Sequence, residues 1–140
     1  MKKQVKILVG ICSCQRMKEK RDAGRETWPR HPAAGIECVF FVGGKEGVEE
    51  ERRDTVVLDT ADGYNELPGK VKSFFVYALE NYDFEWLFKC DDDTYVDLGR
   101  LESLVDDEYD LIGDVLVSTR NSPSGGAGYF LKRSMVEKLV

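Results

Sequence analysis

The chain has 140 residues, a formal net charge of −6, 42% hydrophobic side chains and 33% charged ones. That is one domain with room for a real core, and its even supply of Val, Leu, Phe and Tyr excludes disorder as the main description. The acidic balance argues against nucleic acid as a partner, no apolar run nears the ~20 residues of a membrane span, and no signal-peptide pattern follows Met1, so a cytoplasmic chain without an anchor is expected.

The elements alternate. Val5 to Ile11 is a β-rich apolar run and predicts a buried strand. Residues 16–28 are polar and helix-permissive, with Pro29 as the stop. Cys38 to Val42 and Thr55 to Leu58 predict the second and third strands. Pro68 to Tyr82 is the best helix: Val71, Phe74, Phe75, Ala78 and Leu79 recur at helical spacing, with a proline in the first turn. Trp86 to Cys90 predicts a fourth strand and residues 97–105 a helix capped by Asp97. Leu111 to Val117 predicts a fifth strand, Tyr129 to Leu131 a sixth, and residues 134–140 a last helix. Strands and helices in this alternation imply parallel βαβ units in an α/β, Rossmann-like, mostly parallel sheet with helices on both faces.

In such a sheet, ligands bind beyond the carboxyl ends of the strands. The residues there are Cys12-Ser13, Gly43-Gly44, Asp59 to Asp62 and Asp91-Asp92-Asp93. Three adjacent carboxylates repel unless a cation offsets them. Hard ions such as Mn²⁺ or Mg²⁺ take carboxylate oxygens and leave sites for phosphates. If the segment stays extended, Asp91 and Asp93 share a face and Asp92 points away. Charge is also split along the chain: residues 1–30 hold nine basic and three acidic side chains, the remainder eleven and twenty-three. A basic end and an acidic end could hold an anion at one side and a metal at the other.

Ser124 to Gly128 is a small-residue loop that lets a substrate approach the backbone closely. Arg21, Arg25 and Trp28 lie at near-helical spacing; arginine can clamp phosphate, and Trp28 reads as core. Asp62-Gly63-Tyr64 precedes the best helix, and Lys70 in its first turns favours an anion. The four cysteines, Cys12, Cys14, Cys38 and Cys90, form no Cys-x-x-Cys pair and are expected reduced. The single histidine, His31, stands between prolines and argues against a zinc site.

Taken in order, the segments 19–28, Phe40 to Gly44, Asp62 to Lys70, Leu87 to Val96 and Gly125 to Leu131 resemble the Fringe and β-1,3-galactosyltransferase family. Lys-Cys-Asp-Asp-Asp-Thr-Tyr-Val and Gly-Gly-Ala-Gly-Tyr-x-Leu carry most of the likeness. The resemblance implies a GT-A type glycosyltransferase: metal-dependent, inverting, moving a hexose from a UDP-sugar to a glycan or glycoprotein acceptor. It implies Asp93 as the direct metal ligand, with Asp91 and Asp92 at the metal, ribose or sugar. It implies Cys12, Ser13, Arg21, Asp62 and Lys70 along the nucleotide, and Gly125, Gly126 and Ala127 at the transferred sugar. The expectation is one domain over residues 1–140 that stops short of the family's acceptor and base region, with Asp114 as stand-in base and Gly24 in place of a bulky aliphatic residue. The competing readings are a UDP-sugar-binding module that needs a protein partner for its acceptor site, and a phosphatase built on Asp91-x-Asp93-Thr94.

Overall fold

The computed structural model describes residues 1–30, 33–48, 52–116 and 122–140. The first apolar run forms β1 (Lys3–Cys12), buried from Ile7 onward. It pairs in parallel with β2 (Ile36–Gly43) on one side and with β4 (Tyr82–Asp91) on the other, and β3 (Thr55–Leu58) pairs in parallel with β2. Beyond β4 lies β8 (Tyr129–Lys132), and β5 (Leu111–Gly113) forms the far edge. β8 is antiparallel to both its neighbours, so it runs against the rest of the sheet. The expectation of parallel βαβ units fails at this one strand. The chain reaches β8 from β5 without a crossover helix among the described residues, and a short return permits only antiparallel pairing.

The predicted fifth strand also divides. β5 stops at Gly113, and Val115–Leu116 (β6) leaves the main sheet to pair with Ser122–Pro123 (β7). Asp114 sits exposed at the break, and Val117 lies outside the described residues, as does His31.

Helices cover both faces. On one, α2 (Leu67–Asn81) and α4 (Arg133–Leu139) bring Phe74, Phe75, Ala78 and Val136 onto Leu8, Phe41 and Leu87. Gly10 allows this approach: a Cβ there would stand 2.3 Å from Phe74 Cε1, and the Phe74 ring lies stacked on Phe41 with centroids 4.2 Å apart. The best helix forms as its spacing predicts, but Tyr82 is the first residue of β4 rather than the last of α2. On the other face, α3 (Leu98–Leu104) contributes Leu98 and Leu101 beside Trp28, Trp86 and Phe130. The predicted cap holds, with Asp97 Oδ1 accepting from Gly99 N at 3.1 Å. Among the described residues no helix is long and apolar enough to cross a membrane.

The predicted helix over 16–28 is three pieces: a 3₁₀ turn at Gln15–Met17, α1 (Lys18–Arg25) and a 3₁₀ turn at Trp28–Arg30. It stops before Pro29 because Thr27 turns its N–H and hydroxyl back onto Gly24 O. Arg25 then grips β3. Its Nε and Nη2 reach the two carboxylate oxygens of Asp54 at 2.8 and 3.0 Å, and its guanidinium lies 5.0 Å from the Phe40 ring centre. Arg25 is thus a structural clasp. Burial alone would raise the Asp54 pKa, but the hydrogen bonds from Arg25 and Thr55 outweigh it and hold the group below its ordinary value. A depressed folded-state value stabilises the fold above the unfolded pKa of about 3.9 and is lost as pH falls through the folded value. Because Asp54 is partly exposed, the effect is under about 1 kcal/mol. Asp54→Asn is expected to lower the melting temperature at pH 7, with a deficit that closes as pH drops below about 4. A deficit constant down to about pH 2 would contradict this.

Candidate functional site

The parallel strands end on a common rim. β4 ends at Asp91, and Asp92 and Asp93 form a turn closed by Thr94 N donating to Asp91 O at 3.2 Å. The extended geometry in which Asp91 and Asp93 share a face therefore does not continue past Asp91; adjacent like charges separate more easily in a turn. Each acid goes its own way. Asp91 Oδ1 accepts from Lys89 Nζ at 2.8 Å, Asp92 Oδ2 accepts from Ser13 Oγ at 2.7 Å, and Asp93 is exposed.

Three basic side chains are buried directly behind this rim: Arg21, Lys70 and Lys89. Burying a cation is costly unless polar partners offset it; all three are hydrogen-bonded, and Lys70 and Lys89 each also face a carboxylate. Arg21 reaches up from α1 to Ser13 Oγ at 3.1 Å and to the Cys14 carbonyl. Lys70 Nζ, from α2, donates to Ser13 O at 2.6 Å and to Asp62 Oδ1 at 3.0 Å. The carboxylate of Asp62 also accepts from Gln15 N and Gly43 N, both at 2.6 Å. One acid thereby ties together the loops that follow β1, β2 and β3. Of the basic side chains in the first thirty residues, Arg21 meets an acid of the rim through Ser13, whereas Lys3 and Lys6, near the start of β1, pair with Glu37 and Glu102. Cys12 is turned into the core, where burial pushes its thiol up to about 11. All four cysteines are free.

The Gly-rich turn lies against the same tip. Lys89 Nζ donates to Gly125 O at 2.8 Å, Thr94 Oγ1 to Gly126 O at 2.6 Å, and Asp91 N to Gly126 O at 3.2 Å. A Cβ on Gly126 would sit 3.2 Å from Asp91 Oδ2, so the missing side chain is what allows this contact. Trp28, buried as expected, donates Nε1–H to Thr94 O at 2.9 Å. Tyr129, which follows the turn, has its phenol pushed up to about 12 by burial and stays protonated at neutral pH.

Two clefts open nearby, and Asp91, Asp92 and Asp93 line neither of them. One, of about 620 Å³, opens over the ends of β1, β2 and β3 and is lined by Cys14, Gln15, Asp62 and Gly63, with the exposed apolar surfaces of Met17, Val48 and Tyr64 around it. The other, of about 510 Å³, lies over β8, β5 and α3, with Tyr95, Arg100, Asp114 and Ala127 in its lining. Among the described residues, no three His, Cys, Asp or Glu side chains are grouped to hold a metal by themselves. The donor set nevertheless suits a hard ion, since Mg²⁺-like ions use one or two carboxylates and take their remaining oxygens from water and phosphate. Asp93 has no hydrogen-bond or ion-pair partner among the described residues, and Asp91 has one oxygen outside the Lys89 contact.

Ser13, Arg21, Asp62, Lys70, Asp91, Asp92 and the Gly125–Gly126 turn are thus joined by hydrogen bonds around the β4 tip, Asp93 follows them exposed, Cys12 faces the core, and Asp114 borders the second cleft. Lys89 and Gln15 belong to the site without being among its expected residues, and Thr94, expected only as part of a phosphatase motif, holds the Gly-rich turn. Lys89 carried a signal: a lysine two positions before Asp91 in a strand shares its face. Gln15, whose Nε2 donates to Gly43 O at 2.7 Å, carried none.

Comparison with known proteins matches residues 19–119 to a family described as Galactosyltransferase. Beta-1,3-galactosyltransferase 7 of Arabidopsis thaliana is 31% identical over 121 residues, which is 73% of this chain and 31% of the relative. Glycoprotein-N-acetylgalactosamine 3-beta-galactosyltransferase 1 of Xenopus laevis is 29% identical over 150 aligned residues, covering 100% of this chain and 39% of the relative. The chain thus spans about a third of the length of these relatives.

Proposed function

The chain belongs to the galactosyltransferase family, and from that premise we propose that it forms the donor-binding part of a glycosyltransferase that moves a galactose- or N-acetylglucosamine-type hexose from a UDP-sugar to a glycan or glycoprotein acceptor. The observation that carries this reading is the acidic turn at the end of β4, tied through Ser13 to the loop that lines one cleft and followed two residues on by Tyr95, which lines the other. A two-substrate transfer needs a nucleotide on one side of the reacting carbon and an acceptor on the other. The larger cleft suits the nucleotide. Its apolar rim of Met17, Val48 and Tyr64 offers a planar base surfaces to lie on, and the loop of Ser13 to Gln15 supplies its floor. Arg21 and Lys70 act from beneath: their charges hold that floor in place. The second cleft, bordered by Asp114 and Ala127, suits the acceptor.

Asp93, with Asp91 or Asp92, would hold Mn²⁺ or Mg²⁺, whose contribution when bound is to neutralise charge on the diphosphate leaving group. Inversion needs a base within reach of the acceptor hydroxyl. Asp114, on the border of the second cleft, would be that base, and its carboxylate has no hydrogen-bond partner among the described residues. The second reading is a UDP-sugar-binding module without turnover, which needs a protein partner for transfer.

Calorimetry with UDP and Mn²⁺ tests the binding. Asp93→Asn is expected to remove metal-dependent UDP affinity, a loss of at least about tenfold. Unchanged affinity would reduce the acids to an ordinary turn. A screen of UDP-sugars that reads both free UDP and new glycoside separates transfer from binding alone.

A further inference from the structure

Lys89 is a buried ammonium in an otherwise apolar stretch of β4. An apolar side chain would fill the same space without the cost of desolvating a charge, so packing does not account for it. Its Nζ stands 2.8 Å from Asp91 Oδ1 and 2.8 Å from Gly125 O. One partner is on the acidic tip and the other on the Gly-rich turn, 36 residues from Lys89 along the chain. Thr94 Oγ1 and Asp91 N take the adjoining Gly126 carbonyl. Lys89 alone among these donors carries a charge, and it spends that charge on Asp91.

We propose that Lys89 is a positioning residue: it pins the Gly-rich turn to the β4 tip and serves as the internal counter-ion of Asp91, so that a divalent cation drawn to Asp91 displaces it and loosens Gly125. Occupancy of the tip and the position of the turn are then linked through one side chain. The cation half rests on the donor-binding reading above; the pinning half does not.

The test uses the 140-residue chain, Mg²⁺ alone as the probe, and amide NMR. Without Mg²⁺, Lys89→Met is expected to speed exchange at the Ala127 and Gly128 amides, which donate to Ser124, by about tenfold or more. Amides of Ile7 to Ile11 stay protected, which establishes that the fold is intact. Lys89→Met is also expected to bind Mg²⁺ about tenfold more tightly than the unaltered chain, because a competing positive charge is gone. Lys89→Arg restores slow exchange and the weaker affinity. A purely structural lysine would give the opposite sign, with affinity falling as the site loosens.

Unchanged exchange in the turn overturns the pinning whatever the metal does. A looser turn with equal or weaker Mg²⁺ binding overturns the counter-ion role and leaves the donor reading standing. No Mg²⁺ response in either protein overturns the counter-ion role and the metal part of the donor reading together, while the exchange data still decide the pinning. Should Lys89→Met fail to fold, the Lys89 Nζ resonance of the unaltered chain decides instead. It must shift as Mg²⁺ saturates the tip, and a resonance that stays still overturns the proposal.

Discussion

Asp62→Ala is expected to cost roughly 3–5 kcal/mol of folding stability, the range for removing one partner of a buried ion pair. The reason is the company this carboxylate keeps. Lys70 Nζ is 3.0 Å away and its side chain is 3% exposed, so the alanine leaves a buried ammonium with only the Ser13 carbonyl. It also strips the acceptor from Gln15 N and Gly43 N, and buried donors without partners cost about 1–3 kcal/mol each. Asp62→Asn keeps an acceptor oxygen but not the charge, and should fall between. Denaturant unfolding of the three proteins measures this directly. A loss below about 1 kcal/mol for the alanine variant would show that water or a shifted loop replaces the carboxylate. UDP affinity should fall in the same variants, because Asp62 fixes the loops that line the larger cleft.

Gly128→Ala is the second large effect, expected at roughly 3–5 kcal/mol from backbone strain and overpacking together. Gly128 has φ +118°, a conformation that side chains rarely adopt, and a Cβ there would lie 2.2 Å from Phe88 Cζ. Phe88 cannot easily retreat, since its ring packs on Phe130 with centroids 4.7 Å apart. The strain is relieved by moving the turn, which shifts Gly125 and Gly126 off Lys89 and Thr94. Thermal unfolding reports the first consequence, and the amides of Ala127 and Gly128 the second. An alanine variant as stable as the unaltered chain would mean that the turn has another conformation of equal energy.

Much of the fold was legible because its signals are local. The spacing of Phe74, Phe75 and Ala78 marks α2, since only one face of that helix is buried. The runs through Ile7, Phe41 and Leu87 mark strands buried on both sides. Boundaries were harder where no glycine or proline intervenes: Tyr82 passes straight from α2 into β4, and an aromatic residue suits either. The reversal of β8 was not legible, because its direction depends on how the segment after Asp114 returns to the sheet. At the site, the acids could be placed at a strand end but not aimed, since the contacts of Ser13 with Asp92 and of Gly126 with Asp91 form only in three dimensions.

The antiparallel strand has a consequence for the order in which the molecule comes together. Five strands of the main sheet precede β8 in the chain, yet β8 inserts between β4 and β5 and carries the Gly-rich turn at its entrance. During synthesis the wall over β1, β2 and β3 can therefore mature first, while β4 waits with an open hydrogen-bonding edge and an uncovered Phe88. Until the segment that carries β8 leaves the ribosome, that edge is an adhesive part of the nascent chain.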